Sequence, residues 1–239
     1  MKIYSEKYLV KSYETDMNAS LKLFTFMNYA QEIAGQHANL LGFGYDTLIK
    51  EGVVWVLSRM HIIFKDIPKW KDNITMYTWH KGGDRLFWYR DFVVNNEDEE
   101  AVIKATSSWV IINIETRKMH KIELLGHPDT IHLKDAITEH AEKIITPHEM
   151  EYVHTKKVSY SDVDINKHTN NAKYVEWAID SLDPEFYSSI QVSDMIINFN
   201  LETRLNDQVE IYRHISDNNV IIEGKKEKNS IFTIKMIIK

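Results

Sequence analysis

The fold is decided by a polar stretch that occurs twice, first as Asp16-Met17-Asn18-Ala19-Ser20 and again as Asp164-Ile165-Asn166-Lys167-His168. The first copy leads into the apolar segment Phe26–Ala30, and the second leads into Tyr174–Ala178. A constant spacing of 148 residues relates both pairs of segments. This self-similarity indicates a duplicated unit in which a short turn precedes a helix.

Apolar residues at helical spacing predict where each helix runs. The first helix is expected from about Ser20 to Leu41, and the second from about Asn170 to Leu182, where Asp183-Pro184 provides a stop. The apolar stripe of the first helix comprises Leu23, Phe26, Met27, Ala30, Ala34, Ala38 and Leu41. The stripe of the second comprises Ala172, Val175, Ile179 and Leu182. Each helix therefore needs a sheet to cover one face.

Each helix is followed by four segments that predict β-strands. In the first half they are Val53–Phe64, Ile74–Trp79, Leu86–Val94 and Val102–Ile114, and in the second half Met195–Leu201, Gln208–Ile215, Asn219–Glu223 and Ile231–Ile238. Turn-like segments join them: Lys81–Asp84, Asn95–Glu100, Ser216–Asn218 and Lys225–Ser230. Asp72 and Asp207 mark the same point in the two halves at a spacing of 135, because about 13 extra residues follow the first helix. Short hairpins favour antiparallel pairing. The fold class is therefore α+β, and each half is a strand, a long helix and an antiparallel sheet wrapped around the helix.

Length and composition narrow the possible function classes. The chain has 239 residues, which allows two small domains. Its formal net charge of −6 argues against nucleic acid as the main partner. The absence of cysteine excludes disulfides and a cysteine nucleophile, and the histidines lack paired ligand spacing, so we expect no metal site. No run of about 18 apolar residues and no signal-peptide core occur. We therefore expect no membrane association and a cytoplasmic location.

The repeat separates residues that the fold needs twice from residues that one half alone contains. Asp164 and Asn166 keep the residue types of the first copy, whereas Ser20 stands where the second copy has His168. A role confined to one half is the better candidate for chemistry. Because Asp, Asn and Thr also favour helix caps, a capped helix start stays open as an alternative for the second stretch.

Glu202 is a second position at which the halves differ. It ends the strand-like segment that begins at Ile196, and at the spacing of 135 its counterpart is Ile67. A carboxylate at this position either lies at a strand end in water or is placed for acid–base work.

The second polar stretch belongs to a longer pattern, Asp164-x-Asn166-x-His168-x-Asn170-Asn171-x-Lys173-Tyr174 followed by Trp177. This pattern closely resembles the second-domain signature of plant and bacterial acyl-acyl carrier protein thioesterases, and the Glu202 region resembles the strand that carries that family's catalytic glutamate. The resemblance covers nearly the whole chain and implies a tandem double hot-dog fold. It implies an acyl-chain-binding N-terminal domain over residues 1–130, a linker over 131–147 and a catalytic C-terminal domain over 148–239. The wider connector between the halves contains His127-Pro128-Asp129.

The resemblance also implies an activity, namely hydrolysis of fatty-acyl-acyl carrier protein thioesters, which releases free fatty acids in fatty acid biosynthesis without a cofactor. The implied catalytic set is Asp164, Asn166, His168 and Glu202. Thr203 stands where some family members have a cysteine once proposed as a nucleophile. A cysteine acyl-enzyme is therefore excluded for this chain.

The implied partner is an acyl carrier protein that bears a fatty-acyl phosphopantetheine group. Phe24, Phe26, Met27 and Trp55 are candidates to contact the acyl chain, and core packing is the alternative for each. Because the carrier protein is acidic, we expect a basic landing site, although lysine runs are often only solvated surface. The candidate runs are Lys65, Lys69 and Lys71, then Lys156 and Lys157, then Lys225, Lys226 and Lys228.

Other functions stay open at this point. A thioesterase that acts on coenzyme A esters would use the same catalytic residues with a different docking surface. A non-catalytic acyl-binding module would be expected to have lost His168 and Glu202. A hot-dog dehydratase would need its own acid–base pair near the helix start. Either a monomer or a homodimer is compatible with two fused units.

Overall fold

The structure is a computed structural model that describes residues 2–84, 86–119 and 130–239. The chain divides into two compact units. The first combines Met1–Lys22 with Asn28–Ala141, and the second combines Leu23–Met27 with Glu142–Lys239. The segment His127-Pro128-Asp129 of the predicted connector lies outside the described residues. The domain boundaries 1–130, 131–147 and 148–239 stay a prediction.

The first unit contains five antiparallel strands in the order β1-β3-β4-β5-β2. These strands are β1 (Tyr4–Leu9), β2 (Val53–Phe64), β3 (Asn73–Gly83), β4 (Trp88–Asn95) and β5 (Ala101–Asn113). The long helix α1 (Leu23–Leu40) and the short helix α2 (Tyr45–Leu48) separate β1 from β2 along the chain.

Helix α1 buries most of the apolar stripe that the sequence predicted, and it contacts β1. Leu23, Phe26, Met27, Ala30, Ala34 and Ala38 are all buried. Leu41 lies beyond the end of the helix and is partly exposed. Tyr29 of the helix stacks on Tyr8 of β1 with ring centroids 4.3 Å apart.

The second unit repeats this topology. Its five antiparallel strands have the order β6-β8-β9-β10-β7, which matches the first unit when β6 is taken as the counterpart of β1. These strands are β6 (Glu151–Lys157), β7 (Val192–Phe199), β8 (Gln208–Ser216), β9 (Asn219–Lys226) and β10 (Asn229–Ile238). Helices α3 (Asn171–Asp180) and α4 (Pro184–Ser189) separate β6 from β7. The predicted α+β class and the duplication are confirmed.

Helix α3 packs its apolar face on β9 and β10. The Tyr174 ring stacks on Phe232 of β10 with centroids 5.0 Å apart, and Trp177 is also buried. Ile179, which the sequence placed on the buried stripe, is only half-buried, and Ala178 is buried beside it. The prediction for Ile179 was wrong because the shorter helix ends at Asp180, one residue later.

The predicted turn at Lys81–Asp84 begins later than expected. Strand β3 continues through Gly83, and the pairing of β3 with β4 shifts by one residue between His80 and Gly82. Gly82 has φ 82°, a conformation that glycine adopts without strain. A Cβ at Gly83 would lie 2.5 Å from the Phe87 carbonyl oxygen. The two glycines therefore serve a bulge in a strand, and the turn follows at Asp84, whose Oδ1 accepts N–H groups from two later residues.

The other element boundaries show smaller differences. Helix α1 begins at Leu23 rather than Ser20, because Ser20 and Leu21 form β-bridges with Lys69 and Thr15. Asp183-Pro184 ends α3 as predicted, but it also starts α4, since the Asp183 side chain accepts the first N–H groups of that helix. None of the helices in the described ranges is both long enough and apolar enough to cross a membrane.

Candidate active site in the second unit

The polar turn of the second unit has the same backbone hydrogen bonds as its counterpart in the first unit. In the second unit the Asp164 N–H donates to the His168 carbonyl over 2.9 Å. In the first unit the Asp16 N–H donates to the Ser20 carbonyl over the same 2.9 Å. The fold therefore requires the turn in both copies and requires the histidine in neither.

The aspartates of the two turns also do the same work. Asp164 Oδ1 accepts the Asn166 N–H over 2.8 Å, and Asp16 Oδ1 accepts the Asn18 N–H over 2.9 Å. Such Asx turns fix the backbone locally. Asp164 therefore shapes the turn that carries His168, and the Asn166 side chain is exposed.

Glu202 lies in the loop after β7, which ends at Phe199, and not within a strand as the sequence suggested. A backbone hydrogen bond brings this loop to the turn. The Thr169 N–H donates to the Thr203 carbonyl over 2.8 Å. Because His168 and Glu202 each precede one of these bonded residues, their side chains start from neighbouring points of the backbone.

The two side chains meet. His168 Nε2 lies 3.4 Å from Glu202 Oε2, and the side chains are 19% and 31% exposed, respectively. The pair is therefore reachable by water and substrate while being partly screened from bulk solvent. An imidazole and a carboxylate at this separation can share a proton directly or through one water molecule, which is the arrangement that general acid–base catalysis needs.

Helix α3 begins next to this pair and is capped by Asn170. The Asn170 side chain accepts the Ala172 N–H over 2.8 Å, and its carbonyl accepts the Lys173 N–H over 2.9 Å. The expected capped helix start is therefore present together with the His–Glu pair, and the two interpretations of the stretch are compatible. The helix N-terminus adds a partial positive charge to the site.

The four candidates for acyl-chain contact lie in different parts of the chain. Phe24, Phe26 and Met27 lie in the first turns of α1, in the segment that belongs to the second unit. Phe26 and Met27 are fully buried. Trp55 lies in β2 of the first unit, where its Nε1 donates to the Phe43 carbonyl over 2.9 Å.

The candidate docking lysines differ in how much charge they present. Lys65, Lys225 and Lys226 each form an ion pair with a carboxylate, at 3.4, 3.1 and 2.8 Å. Lys71 and Lys156 lie over the indole rings of Trp70 and Trp177, respectively. The three paired lysines therefore offer less net positive charge to an acidic partner than their number suggests.

The sequence interpretation missed a buried hydroxyl cluster behind the His–Glu pair. Thr169 and Thr203 follow His168 and Glu202 in the chain, and their Oγ1 atoms lie 2.7 Å apart. The Tyr174 hydroxyl lies 3.0 Å from Thr203 Oγ1 and accepts the Thr203 N–H over 3.2 Å. The half-to-half comparison that singled out His168 would also have found this cluster, because all three positions are apolar in the first unit.

The described ranges contain no group of three or more histidine, aspartate and glutamate side chains arranged to hold a metal ion. The pair of His168 and Glu202 is instead the asymmetric feature of the second unit, since Ser20 and Ile67 occupy the corresponding positions of the first. These two side chains are therefore the candidates for acid–base chemistry in the second unit.

Two antiparallel sheets, each with one long helix, and a His–Glu pair confined to the second copy define a double hot-dog protein. The sequence matches the acyl-ACP thioesterase N-terminal domain over residues 1–124 and the acyl-ACP thioesterase C-terminal domain over residues 145–238. The chain belongs to the acyl-ACP thioesterase family.

Plant relatives share this similarity along most of the chain. A chloroplastic palmitoyl-acyl carrier protein thioesterase of Gossypium hirsutum is 29% identical over 91% of this chain, and a chloroplastic oleoyl-acyl carrier protein thioesterase of Coriandrum sativum is 28% identical over 87% of it. These matches cover 56% and 61% of the two relatives. The chain thus spans little more than half the length of the curated relatives that it matches.

Solved structures show the same fold. An acyl-ACP thioesterase from Bacteroides thetaiotaomicron is 27% identical, with a TM-score of 0.91 over 100% of this chain and 98% of that one. The 12:0-ACP thioesterase from Umbellularia californica, at 21% identity, has a TM-score of 0.88 over 100% of this chain and 98% of that one. The tandem double hot-dog fold predicted from the sequence is confirmed.

Proposed function

We propose that this chain hydrolyses the thioester between a fatty-acyl chain and acyl carrier protein and so releases a free fatty acid in fatty acid biosynthesis. The observation that carries the proposal is the 3.4 Å separation of His168 Nε2 and Glu202 Oε2 in the second unit. Membership of the acyl-ACP thioesterase family supports the choice of substrate.

In the proposed reaction Glu202 acts as the general base. It takes a proton from water as the water oxygen attacks the thioester carbonyl carbon, and His168 holds that water or shares the proton. The carbon–sulfur bond then breaks, the thiolate leaves with the carrier protein, and it regains a proton from the Glu–His pair. The products are a carboxylic acid and a thiol, and no covalent acyl-enzyme is needed.

The remaining members of the implied catalytic set act on geometry and charge. Asp164 keeps the turn in the conformation that presents His168, as its hydrogen bond to the Asn166 N–H indicates. The Asn166 side chain, being exposed, orients the thioester carbonyl. The positive end of α3 lowers the energy of the oxyanion that forms during attack.

We assign contact with the acyl chain to Phe24, Phe26, Met27 and Trp55. The complete burial of Phe26 and Met27 gives an apolar environment into which methylene groups could be transferred from water, at about 0.8 kcal/mol per CH₂ group. Enlarging or reducing one of these side chains should shift the preferred chain length rather than abolish hydrolysis, which a panel of acyl chains would measure.

The proposed partner is acyl carrier protein, which docks through its acidic surface. Screening by salt weakens attraction between exposed charges, so the KM for the carrier-bound substrate should rise with ionic strength. The KM for a coenzyme A thioester of the same acyl chain serves as the control. A KM for the carrier substrate that does not change with salt would contradict electrostatic docking.

Release of free thiol from a series of acyl-carrier thioesters and matching coenzyme A thioesters tests the function directly. We expect a higher kcat/KM with the carrier substrates. Faster hydrolysis of the coenzyme A esters would assign the protein to the alternative thioesterase class. Binding of acyl groups without release of thiol would identify a non-catalytic acyl-binding module. A cytoplasmic location, the absence of nucleic-acid and membrane partners, and a monomeric or homodimeric state stay predictions.

A further inference from the structure

We propose that Thr169, Tyr174 and Thr203 are positioning residues that set the separation of His168 and Glu202 through their buried hydroxyl groups. This inference rests on the proposed function, because it assigns a purpose to the fixed separation. The three side chains are 4%, 2% and 0% exposed, respectively. None of them has to touch substrate for the proposal to hold.

The first unit shows that the fold does not need these hydroxyls. Leu21 stands at the position of Thr169 and Pro68 at that of Thr203, and the Leu21 N–H donates to the Pro68 carbonyl over 2.7 Å. The same bond in the second unit measures 2.8 Å. The backbone contact therefore forms equally well with apolar side chains.

The polar groups are present or absent together. In the second unit the Tyr174 hydroxyl accepts the Thr203 N–H over 3.2 Å. In the first unit Phe26 stands at the tyrosine position and has no hydroxyl, while Pro68 has no N–H that would need an acceptor. Each unit is thus internally consistent, and the hydroxyl network is an addition made only where His168 and Glu202 are found.

The location of the network explains what it adds. Each threonine is covalently next to one member of the pair, so the hydrogen bond of 2.7 Å between the two Oγ1 atoms ties the pair together one residue away. Burial also raises the pKa of Tyr174, which keeps its hydroxyl protonated and able to donate. A satisfied, buried network of this kind makes its surroundings rigid. Rigidity matters here, since a misplacement of about 1 Å can cost on the order of 100-fold in rate.

Single substitutions at Thr203 separate the hydroxyl from the shape of the side chain. Thr203→Val keeps the shape and removes the hydroxyl, and Thr203→Ser keeps the hydroxyl. We expect Thr203→Val to lower kcat by about 10- to 100-fold while KM stays within about threefold, because ground-state binding is not altered. Thr203→Ser should stay within about threefold of wild-type kcat. Thr233→Val, which alters another buried threonine of the second unit, is the control and should not change kcat.

A triple variant removes the whole network without leaving buried groups unpaired. Thr169→Val, Tyr174→Phe and Thr203→Pro together copy the polarity of the first unit, so the unfolding midpoint should stay close to that of wild type. A crystal structure of this variant should show the His168 Nε2–Glu202 Oε2 distance lengthened from 3.4 Å by about 1 Å or the Glu202 side chain in several positions.

The outcomes distinguish this inference from the proposed function. Wild-type protein that hydrolyses no thioester would remove the proposed function, and the crystallographic distance would still decide whether the hydroxyls position the pair. An active wild type together with a folded triple variant of wild-type kcat and unchanged distance would overturn the positioning role alone. Loss of kcat in proportion to loss of folded protein, with no rescue by Thr203→Ser, would also overturn it.

Discussion

The turn at Asp16–Ser20 and the turn at Asp164–His168 are built from the same hydrogen bonds and end in different side chains. In both turns the first residue donates its N–H to the carbonyl of the last over 2.9 Å, and the aspartate accepts an N–H two residues later. One turn presents Ser20 opposite the loop of Ile67, and the other presents His168 opposite Glu202. The comparison teaches that the duplicated backbone is scaffold, and that the capacity for acid–base chemistry was kept or gained in one copy only.

The largest effect that would sharpen this comparison concerns Glu202. We expect Glu202→Gln to lower kcat by about 100- to 10,000-fold, since the amide cannot act as a base. Steady-state hydrolysis of an acyl-carrier thioester measures the change. The matched control is Asp66→Asn, because Asp66 is a carboxylate in the corresponding loop of the first unit, where it accepts the Ile67 N–H. Equal losses in the two variants would contradict a role confined to the second unit.

A smaller and two-sided effect is expected for the turn aspartates. Asp16→Ala and Asp164→Ala each remove an Asx hydrogen bond, so each should lower the free energy of unfolding by about 1 kcal/mol. Only Asp164→Ala should lower kcat, by about tenfold, because only that turn carries a histidine. Chemical denaturation and steady-state kinetics of both variants measure the two effects. An unchanged kcat in Asp164→Ala would remove Asp164 from the site.

The smallest effect concerns acid stability and sets His80 of the first unit against the exposed Ile215, which lies 135 residues later in the second unit. Burial, assisted by the positive charges of Arg90 and His37, lowers the pKa of His80 from 6.5 to about 4. Nδ1 accepts the Gly82 N–H, so the neutral ring donates from Nε2 to Thr130 Oγ1.

Between pH 6.5 and about 4 the unfolded chain binds a proton at His80 that the native state does not bind. Stability from this group is therefore complete above pH 6.5 and is lost as the pH falls towards 4, by at most about 3 kcal/mol. Unfolding midpoints between pH 4 and 7 should show a steeper fall in wild type than in His80→Gln. Parallel curves would show that His80 is not the group responsible.

Most of the scaffold could be predicted from the sequence because duplication supplies an internal control. The spacings of 148 and 135 residues, read from apolar and polar patterns, are the ones that the backbone bonds of Leu21 to Pro68 and of Thr169 to Thr203 obey. Strand β2 has the predicted bounds, Val53–Phe64, since it is a long β-branched run between turns.

Other features could not be predicted because they depend on tertiary contacts. A glycine pair normally indicates a turn, but Gly82 and Gly83 serve a bulge, and only the pairing of β3 with β4 reveals it. The segment before Glu202 continues the strand pattern, and only the structure shows that β7 ends at Phe199. The meeting of His168 with Glu202 was inferred by resemblance, since residues 34 positions apart show no spacing rule.

An exchange of the two asymmetric residues of the turns tests the central claim most directly. His168→Ser gives the second turn the residue of the first, and Ser20→His does the reverse in the other unit. With wild-type protein as reference, we predict that His168→Ser lowers kcat on an acyl-carrier thioester by about 100-fold or more, with an unchanged unfolding midpoint, while Ser20→His keeps wild-type kcat. Wild-type turnover in folded His168→Ser would contradict the account.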